Sequence, residues 1–338
     1  MVIRRFFVIF LFVLTIFNLF AVQFEFLNNS AKNISIGGSG ISVFKDPSFT
    51  LLNPANLSLD KSLVSVYYEA NSYLKIGTFF DLYERRFVFD PANVGVSFKF
   101  DDFSRVSLLF TSYLYDFDIP EITYKLFLFG FSRKIFPYLF IGGALGPVLG
   151  VNEYSLIPSF IVVLGSTLRF EDLVSTSLVF KSPFSVSYIS PYYGSVYQTF
   201  PGVASLSGSF FIANNITVSL AIDVFLFNFL YAYSGYELFV LRNKVEDYIS
   251  PKFGVIYYDS ISGYRVMFGA YKSQIETLAE SLSQYHLTFG ATFFIRIYGF
   301  NEFEINFSLD DTSLLNFLYI APRNLRKISL YVSGEVRF

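Results

Sequence analysis

Three pairs of acidic residues stand close enough along the chain to act together. Two carboxylates one residue apart on a strand share a face, and such a pair suits acid–base catalysis or cation binding. These pairs, however, stand at the ends of predicted strands or on their polar faces, where charge solvates a wet surface. We therefore interpret them as structural. They are Asp101 with Asp102, Asp310 with Asp311, and Glu302 with Glu304.

The sequence gives little support to nucleophilic catalysis. His286 is the sole histidine, cysteine is absent, and no Gly-x-Ser-x-Gly motif occurs. These facts exclude a cysteine nucleophile and disfavour a histidine-based metal site or a catalytic triad. His286 begins a predicted strand on its polar face, which favours a hydrogen-bonded interior residue. We expect no enzymatic activity, no metal and no cofactor.

Several basic residues share the polar parity of predicted strands with Glu304. Interior arginines that face interior carboxylates commonly join neighbouring elements through charge-assisted hydrogen bonds. The same side chains could instead bind the carboxylate head group of an amphipathic ligand; the structural role is favoured. These residues are Lys99, Arg105, Lys125, Arg265, Arg296 and Arg337.

The composition indicates that lipid solvates much of the surface. Of 338 residues, 53% are apolar and only 15% are charged, and phenylalanine and tyrosine raise the aromatic share to 21%. A water-soluble protein with so few charges would struggle to cover its surface. The net charge of −2 and the lack of a basic run exclude nucleic acid as a favoured partner.

The amino end is typical of a secretory signal peptide. Arg4 and Arg5 precede an apolar stretch, 6–20, and Ala21 supplies a small residue for cleavage. The alternative is an uncleaved anchor, but a spanning helix needs about 20 apolar residues. We expect residues 1–21 to be removed.

Alternation of apolar and polar residues is the strongest structural signal. Residues 62–70, 94–101, 286–297, 302–310 and 327–338 all place apolar side chains on one parity and polar ones on the other. Membrane strands of about 9–11 residues show this pattern, apolar toward lipid and polar toward the lumen. The carboxyl-terminal Phe338 is the usual end of the closing strand in an outer-membrane barrel.

Weaker candidate strands bring the total to about fifteen segments, which predicts about 14 strands within a range of 12–16. Prolines and asparagines in the charge-free windows disfavour the alternative, a bundle of membrane helices. A soluble β-sandwich is excluded because so many apolar faces would meet water. The weaker candidates are 73–81, 105–115, 122–133, 138–149, 158–170, 173–181, 200–212, 216–228, 251–259 and 263–273.

Four longer connections are predicted to lie outside the cell, since barrels place long loops there and short turns inside. They are 182–199, 229–248, 273–284 and 310–324. Within 273–284, Ile275, Leu278 and Leu282 stand at helical spacing, which predicts a short amphipathic helix.

Residues 22–59 differ from the rest, being rich in glycine, asparagine, serine and proline. Gly37, Gly38 and Gly40 are followed by Asp46-Pro47-Ser48 and by Asn53-Pro54-Ala55. This pattern resembles the amino-terminal signature of FadL-like outer-membrane barrels, a group that includes hydrocarbon and fatty-acid channels and the PorV/PorQ proteins. The resemblance implies an all-β, transmembrane antiparallel barrel over 60–338, with 22–59 as a plug in its lumen. The alternative for 22–59 is a poorly ordered tail.

The resemblance also implies a function. A passive channel for small hydrophobic molecules in the outer membrane of a diderm bacterium is favoured, with membrane lipids, the barrel-assembly machinery and a hydrophobic ligand as partners. The alternatives are a PorV-like docking protein for secreted proteins and a purely structural barrel. Phe127, Phe129 and Phe131 share one parity; an inward orientation would favour the channel, and an outward one would remove that support.

Overall fold

A computed structural model describes residues 30–76, 82–86, 91–115, 122–151, 156–170, 173–190, 194–226, 248–259, 261–276, 281–295, 302–312 and 327–338. The proposed signal peptide and the start of the predicted plug, 22–29, lie outside these residues. None of the described helices is long and apolar enough to cross a membrane.

Strands make up most of the described chain. They are β1 (Val64–Ile76), β2 (Leu82–Arg86), β3 (Pro91–Lys99), β4 (Ser104–Tyr115), β5 (Ile122–Phe136), β6 (Leu139–Val151), β7 (Leu156–Phe170), β8 (Val174–Lys181), β9 (Phe184–Ser190), β10 (Gly194–Phe200), β11 (Gly202–Ala213), β12 (Ile216–Leu226), β13 (Tyr248–Asp259), β14 (Tyr264–Glu276), β15 (Ser281–Ile295), β16 (Glu302–Asp311) and β17 (Lys327–Arg337).

Fourteen of these strands form a closed antiparallel barrel. Each pairs with its neighbours in the order β1, β3 to β8, then β11 to β17, and β17 pairs with β1. Phe338 completes the closure, because its backbone N–H donates to Val64 O at 2.9 Å and its carbonyl accepts from Leu63 N at 2.8 Å. Among the described residues β2 pairs only with the end of β1. The predicted barrel and its strand number are confirmed.

The alternation in sequence fixes the two faces of each strand. On β1, Ser65, Tyr67 and Glu69 are buried inside, whereas Val66 and Tyr68 are exposed outside. On β5, Phe127, Phe129 and Phe131 lie on the outer face, 46%, 49% and 40% exposed, and Leu126 and Leu128 point inward. The phenylalanine parity therefore faces lipid and gives no support to an oily lumen.

Two local predictions are wrong. A strand is predicted to begin at 73, but β1 continues without a break from Val64 through Ile76 and pairs with β17 as far as Lys75. The remainder of that prediction, 77–81, lies outside the described residues. The helix predicted in 273–284 is replaced by the hairpin of β14 and β15, in which Ile275 pairs with Leu282. Cross-strand hydrogen bonding over the whole hairpin outweighs three apolar residues at helical spacing.

The connection 182–199 contains a pair of antiparallel strands, β9 and β10, which form a hairpin. Its terminal rings, Phe184 and Phe200, stack with their centroids 4.7 Å apart and are buried. The hairpin contacts β6 and β7, and both rings join the buried cluster that contains Leu126 and Ile161. It therefore covers the lumen from the end at which β8 stops.

The two ends of the barrel differ. We call the end with the brief connections 100–103, 137–138 and 214–215 the short-turn end, and the opposite end the long-connection end. The connections between β8 and β11, β12 and β13, β14 and β15, and β16 and β17 all leave from the latter end. Their predicted position outside the cell stays a prediction. Phe136, Tyr138 and Phe170 stack in a row at the short-turn end, which is where an interfacial aromatic girdle belongs.

Residues 30–60, which we call the plug, lie inside the barrel. The plug consists of helix α1 (Ala31–Ile34), a 3-10 turn (Gly40–Ser42), helix α2 (Phe49–Leu52) and a 3-10 helix (Pro54–Leu59). Almost every residue from Ser30 to Leu57 is buried. Helix α1 contacts β15–β17, and the 3-10 turn contacts β8, β11 and β12. Helix α2 and the 3-10 helix contact β4–β7.

Candidate functional site: the plugged lumen

A network of buried charges holds the start of the plug. Lys32 Nζ lies 2.5 Å from Glu304 Oε2 on β16, 2.5 Å from Glu335 Oε2 on β17, and 3.7 Å from Asp46 Oδ2 in the plug itself. Arg337 Nη1 lies 3.0 Å from Glu304 Oε1, and Arg337 Nη2 lies 2.7 Å from Glu335 Oε2. Two cations thus share three buried carboxylates between plug and wall.

Strand β1 extends this polar contact. Glu69 is buried and accepts hydrogen bonds from Ala31 N at 2.9 Å, from Asn93 Nδ2 at 3.0 Å and from the Tyr67 hydroxyl. Ala31 opens helix α1, so the carboxylate satisfies one of the N–H groups that a helix start leaves without an internal partner. We call the inward faces of β16, β17 and β1, with Glu69, Glu304, Glu335 and Arg337, the charged wall.

The opposite side of the lumen is aliphatic. We call the inward faces of β4–β7 the apolar wall, which consists of Leu109, Leu126, Leu128, Val148, Ile161 and Val163. These side chains are buried in one cluster with plug residues Phe49, Leu51 and Leu57. The interior of a membrane barrel is ordinarily polar, so this wall is a departure that needs either apolar plug packing or an apolar ligand.

Glycines of the wall let the plug backbone approach closely. A Cβ atom built on Gly269 of β14 would stand 2.1 Å from Gly37 N, and one on Gly142 of β6 would stand 2.5 Å from Ala55 N. Gly254 and Gly290 lie on the strands beside Gly269, and Gly130 and Gly165 lie on the strands beside Gly142. A Cβ atom built on any of these four would stand within 2.5 Å of a plug or wall atom. The barrel therefore has two glycine slots, one on β13–β15 and one on β5–β7. Sequence reasoning missed both; their only signal is glycine recurring on the inward parity.

Within the plug, Gly37 and Gly38 have φ values of 63° and 71°, in the region that favours glycine. Gly37 N donates to Thr288 Oγ1 on β15 at 2.9 Å. Gly40 packs against the ring of Phe44, since a Cβ there would stand 2.7 Å from it. These three glycines thus turn the chain beside the wall.

Asp46 and Asn53 shape the two later helices of the plug. Asp46 Oδ1 accepts from Ser48 N at 3.1 Å and from the Ser48 hydroxyl, which forms the turn before α2. Asn53 caps the 3-10 helix, because its Oδ1 accepts from Ala55 N at 3.2 Å, and Pro54 occupies the first helical position. Asn53 Nδ2 also donates to Thr167 Oγ1 on β7 at 3.0 Å.

Arg105 fixes the point at which the plug joins β1. Its Nη2 lies 2.8 Å from Asp60 Oδ2, and its Nη1 donates to Ser62 O at 2.7 Å. Lys99, at the short-turn end, pairs instead with Asp102 Oδ1 at 2.6 Å. Asp101 accepts from Phe103 N at 2.7 Å, and this hydrogen bond lowers the pKa of its carboxyl. The acidic pair Asp101 and Asp102 therefore stabilises the turn between β3 and β4.

His286 is buried on the inner face of β15, with Nδ1 2.9 Å from Asp310 Oδ1. Arg296, predicted to face the lumen, lies outside the described residues.

The acidic pair Glu302 and Glu304 binds an arginine of the neighbouring strand, since both carboxylates contact Arg337 Nη1. Arg265 at the short-turn end lies over the ring of Phe294, 4.7 Å from its centroid.

A cavity of about 1040 Å³ opens at the short-turn end beneath the plug. Aromatic rings of Phe103, Tyr138, Phe140 and Phe170 form part of its lining. Its charged lining residues are Lys45, Lys61, Lys99, Arg105, Lys134, Arg169, Asp60, Asp101 and Asp102.

The ladder between β5 and β6 is interrupted beside the apolar wall. Leu126 pairs with Val148 and Phe129 with Leu145 in one register, but no pair joins the residues between them on these described strands. Pro147 falls in this interval and has no N–H to donate. Two residue pairs are therefore missing from the β5–β6 ladder at this position.

No protein-family model matches the chain, and no curated protein matches it. Solved structures do. The toluene transporter TbuX of Ralstonia pickettii superposes with a TM-score of 0.64 at 11% identity, covering 94% of this chain and 100% of that one. The toluene transporter TodX of P. putida gives 0.62 at 13%, covering 93% and 99%. A Pseudomonas aeruginosa FadL homologue gives 0.59 at 12%, covering 95% and 100%. The chain therefore has the fold of the FadL-type outer-membrane channels.

Proposed function

We propose that this protein is an outer-membrane channel for small hydrophobic molecules, gated by the plug. The observation that carries the proposal is the apolar wall, which packs against the plug and would offer aliphatic surface to a hydrophobic molecule once the plug moves. The solved structures with this fold include two toluene transporters, which supports the same substrate class.

In this proposal the long-connection end faces the cell exterior, as long loops do in bacterial barrels. A hydrophobic molecule enters beside the β9–β10 hairpin and reaches the apolar wall next to Leu126 and Leu128. The seated plug separates it from the cavity at the short-turn end. Movement of the plug opens the path, and we place a lateral exit into the membrane where the β5–β6 ladder is interrupted at Pro147.

A disulfide lock tests the gate directly, since the natural chain contains no cysteine. The hydroxyl oxygens of Ser35 and Ser308 lie 2.5 Å apart across the boundary between plug and wall, close enough for a bridge after Ser35→Cys and Ser308→Cys. A second lock, Ser42→Cys with Ser209→Cys, joins another pair of hydroxyls 2.6 Å apart on a different strand. Single-cysteine variants are the matched controls.

The measurement is uptake of a radiolabelled hydrophobic molecule into proteoliposomes. We expect the oxidised lock between residues 42 and 209, on β11, to abolish uptake, and reductant to restore it. The lock between residues 35 and 308 holds the plug to β16, beside the ion pairs of Lys32, and should reduce uptake less. Uptake that continues at the natural rate with the β11 lock closed would exclude the plug as the gate. A natural protein that moves no hydrophobic molecule, and that carries a stoichiometric protein partner in native mass spectrometry, would overturn the channel in favour of a docking function.

A further inference from the structure

Three side chains from adjacent strands meet inside the barrel. Ser273 lies on β14, His286 on β15 and Asp310 on β16. Ser273 Oγ is 2.8 Å from His286 Nε2, and His286 Nδ1 is 2.9 Å from Asp310 Oδ1 and 3.1 Å from Asp310 Oδ2. The strand register brings them together diagonally, since His286 pairs with Tyr271 and Asp310 with Thr288.

These contacts fix the positions of the protons. An ionised carboxylate only accepts, so Nδ1 of His286 must carry the proton that it shares with Asp310. In the neutral imidazole Nε2 is then an acceptor, and the hydroxyl of Ser273 must donate to it. Nucleophile, base and orienting carboxylate thus stand in the order and at the separations that activate a serine for acyl transfer.

Tyr271 holds this arrangement in place. Its hydroxyl donates to Asp310 Oδ2 at 3.0 Å, and its ring stacks on His286 with centroids 4.0 Å apart. The imidazole is therefore held both in its plane and in its tautomer, which a base needs in order to take a proton repeatedly from the same hydroxyl.

On the strands of this cluster the plug contacts Thr288, Gly290 and Ser308, which lie further toward the short-turn end. Ser273 is 5% exposed and lies near the end of β14, which runs to Glu276 at the long-connection end. The cluster therefore lies nearer the long-connection end than these contacts of the described plug.

We propose that Ser273, His286 and Asp310 form a serine-nucleophile site that cleaves esters of hydrophobic carboxylic acids. Ser273 Oγ attacks the ester carbonyl carbon while its proton passes to His286 Nε2. The C–O bond to the alcohol breaks, and the alcohol leaves with that proton. Water then attacks the acyl-serine, gives a proton to Nε2, and releases the acid as Ser273 regains its own proton. One ester and one water give one acid and one alcohol.

The route by which an ester reaches the lumen rests on the proposed function, but the reactivity of Ser273 does not. The test therefore uses the full natural protein in mild detergent with a biotinylated alkyl fluorophosphonate, a reagent that forms a stable adduct with activated serines. Intact mass and peptide mass spectrometry give the stoichiometry and the site, and hydrolysis of p-nitrophenyl butyrate gives turnover. Neither readout depends on transport.

We expect one adduct per chain at Ser273, none in Ser273→Ala, and a labelling rate about 10⁴-fold lower in Asp310→Asn, because the amide would hold His286 in the opposite tautomer. Ser219→Ala is the matched control, because Ser219 is a buried inward serine whose hydroxyl contacts Ser209 at 2.7 Å and no histidine. It should label at the natural rate.

Absence of an adduct in the natural protein would overturn the proposal without recourse to any variant. So would an adduct at another serine, or labelling that persists in Ser273→Ala. The heat-dependent shift of the folded barrel in gel electrophoresis shows that each variant is folded before its rate is compared.

Discussion

The charged wall holds the plug through ion pairs and hydrogen bonds, whereas the apolar wall holds it through close packing. On the charged wall Lys32 of the plug binds two carboxylates at 2.5 Å, and Ala31 N binds Glu69 at 2.9 Å. On the apolar wall Phe49 and Leu57 pack into aliphatic side chains, and the polar contacts are hydrogen bonds of Thr50, Asn53 and Asn56 with the hydroxyls of Ser107 and Thr167.

The difference matters because the two kinds of contact respond differently to movement. A buried ion pair pulled apart leaves charges without partners and requires water to enter, so the charged wall resists separation strongly over a short distance. Apolar contacts are not directional, so the apolar wall can exchange plug side chains for a hydrophobic ligand of similar surface. We infer that the plug pivots on the charged wall and leaves the apolar wall first.

Lys32→Met should have the largest effect. Glu304 and Glu335 would keep their contacts with Arg337 but lose their contacts with Lys32. Removing one partner of a buried ion pair typically costs about 3–5 kcal/mol of folding stability. Urea unfolding of the detergent-solubilised barrel measures the loss. The double variant Lys32→Met with Glu304→Gln should recover part of the lost stability, because it also removes the negative charge of Glu304 that Lys32 had balanced. A single variant as stable as the natural protein would show that the charged wall does not anchor the plug.

Leu126→Ala tests the apolar wall at a fully buried aliphatic position. A truncated leucine in a packed core typically costs about 2–5 kcal/mol, according to how far the cavity can collapse. The adjacent outward residue provides the control, since Phe127→Leu faces lipid and should change stability by less than about 1 kcal/mol. Equal effects at the two positions, measured by the same unfolding experiment, would contradict the assignment of inner and outer faces.

The smallest expected effects come from the two glycine slots. Gly269→Ala and Gly142→Ala would each place a methyl group within 2.5 Å of plug backbone, and such overpacking typically costs about 1–3 kcal/mol. Gly208→Ala is the matched control, since its nearest neighbour would be 3.8 Å away. The readout is the rate of limited proteolysis within the plug. If the plug pivots as inferred, Gly142→Ala accelerates cleavage near Pro54 and leaves the region of Lys32 protected.

Much of the barrel follows from local pattern. The parity of residues such as Val66, Tyr68 and Glu69 is enough to assign the lipid and lumen faces of β1, because a strand reverses its side chains at every residue. The same principle fails to orient β5. Phe127 and Leu126 are both apolar, so alternation by itself does not say which of them faces the lumen.

The contacts between the plug and the wall could not be predicted from the sequence, for a different reason. Its glycine and Asn-Pro-Ala pattern indicates tight turns, and Asn53 and Gly37 do form them. Nothing in the sequence pairs Lys32 with Glu335, which lies 303 positions away, or Gly37 with Gly269. Such contacts depend on how the barrel closes, and closure depends on strand register.

The sequence by itself determined a membrane barrel with about 14 strands and a chemically distinct segment ahead of it, because residue-by-residue periodicity and composition are local properties. Tertiary structure alone decided that Ser273, His286 and Asp310 meet, that the lumen has a charged wall and an apolar wall, and that glycines receive the plug. Each of these requires strands to lie side by side in one register, and a shift of a single residue would turn every one of those side chains to the opposite face.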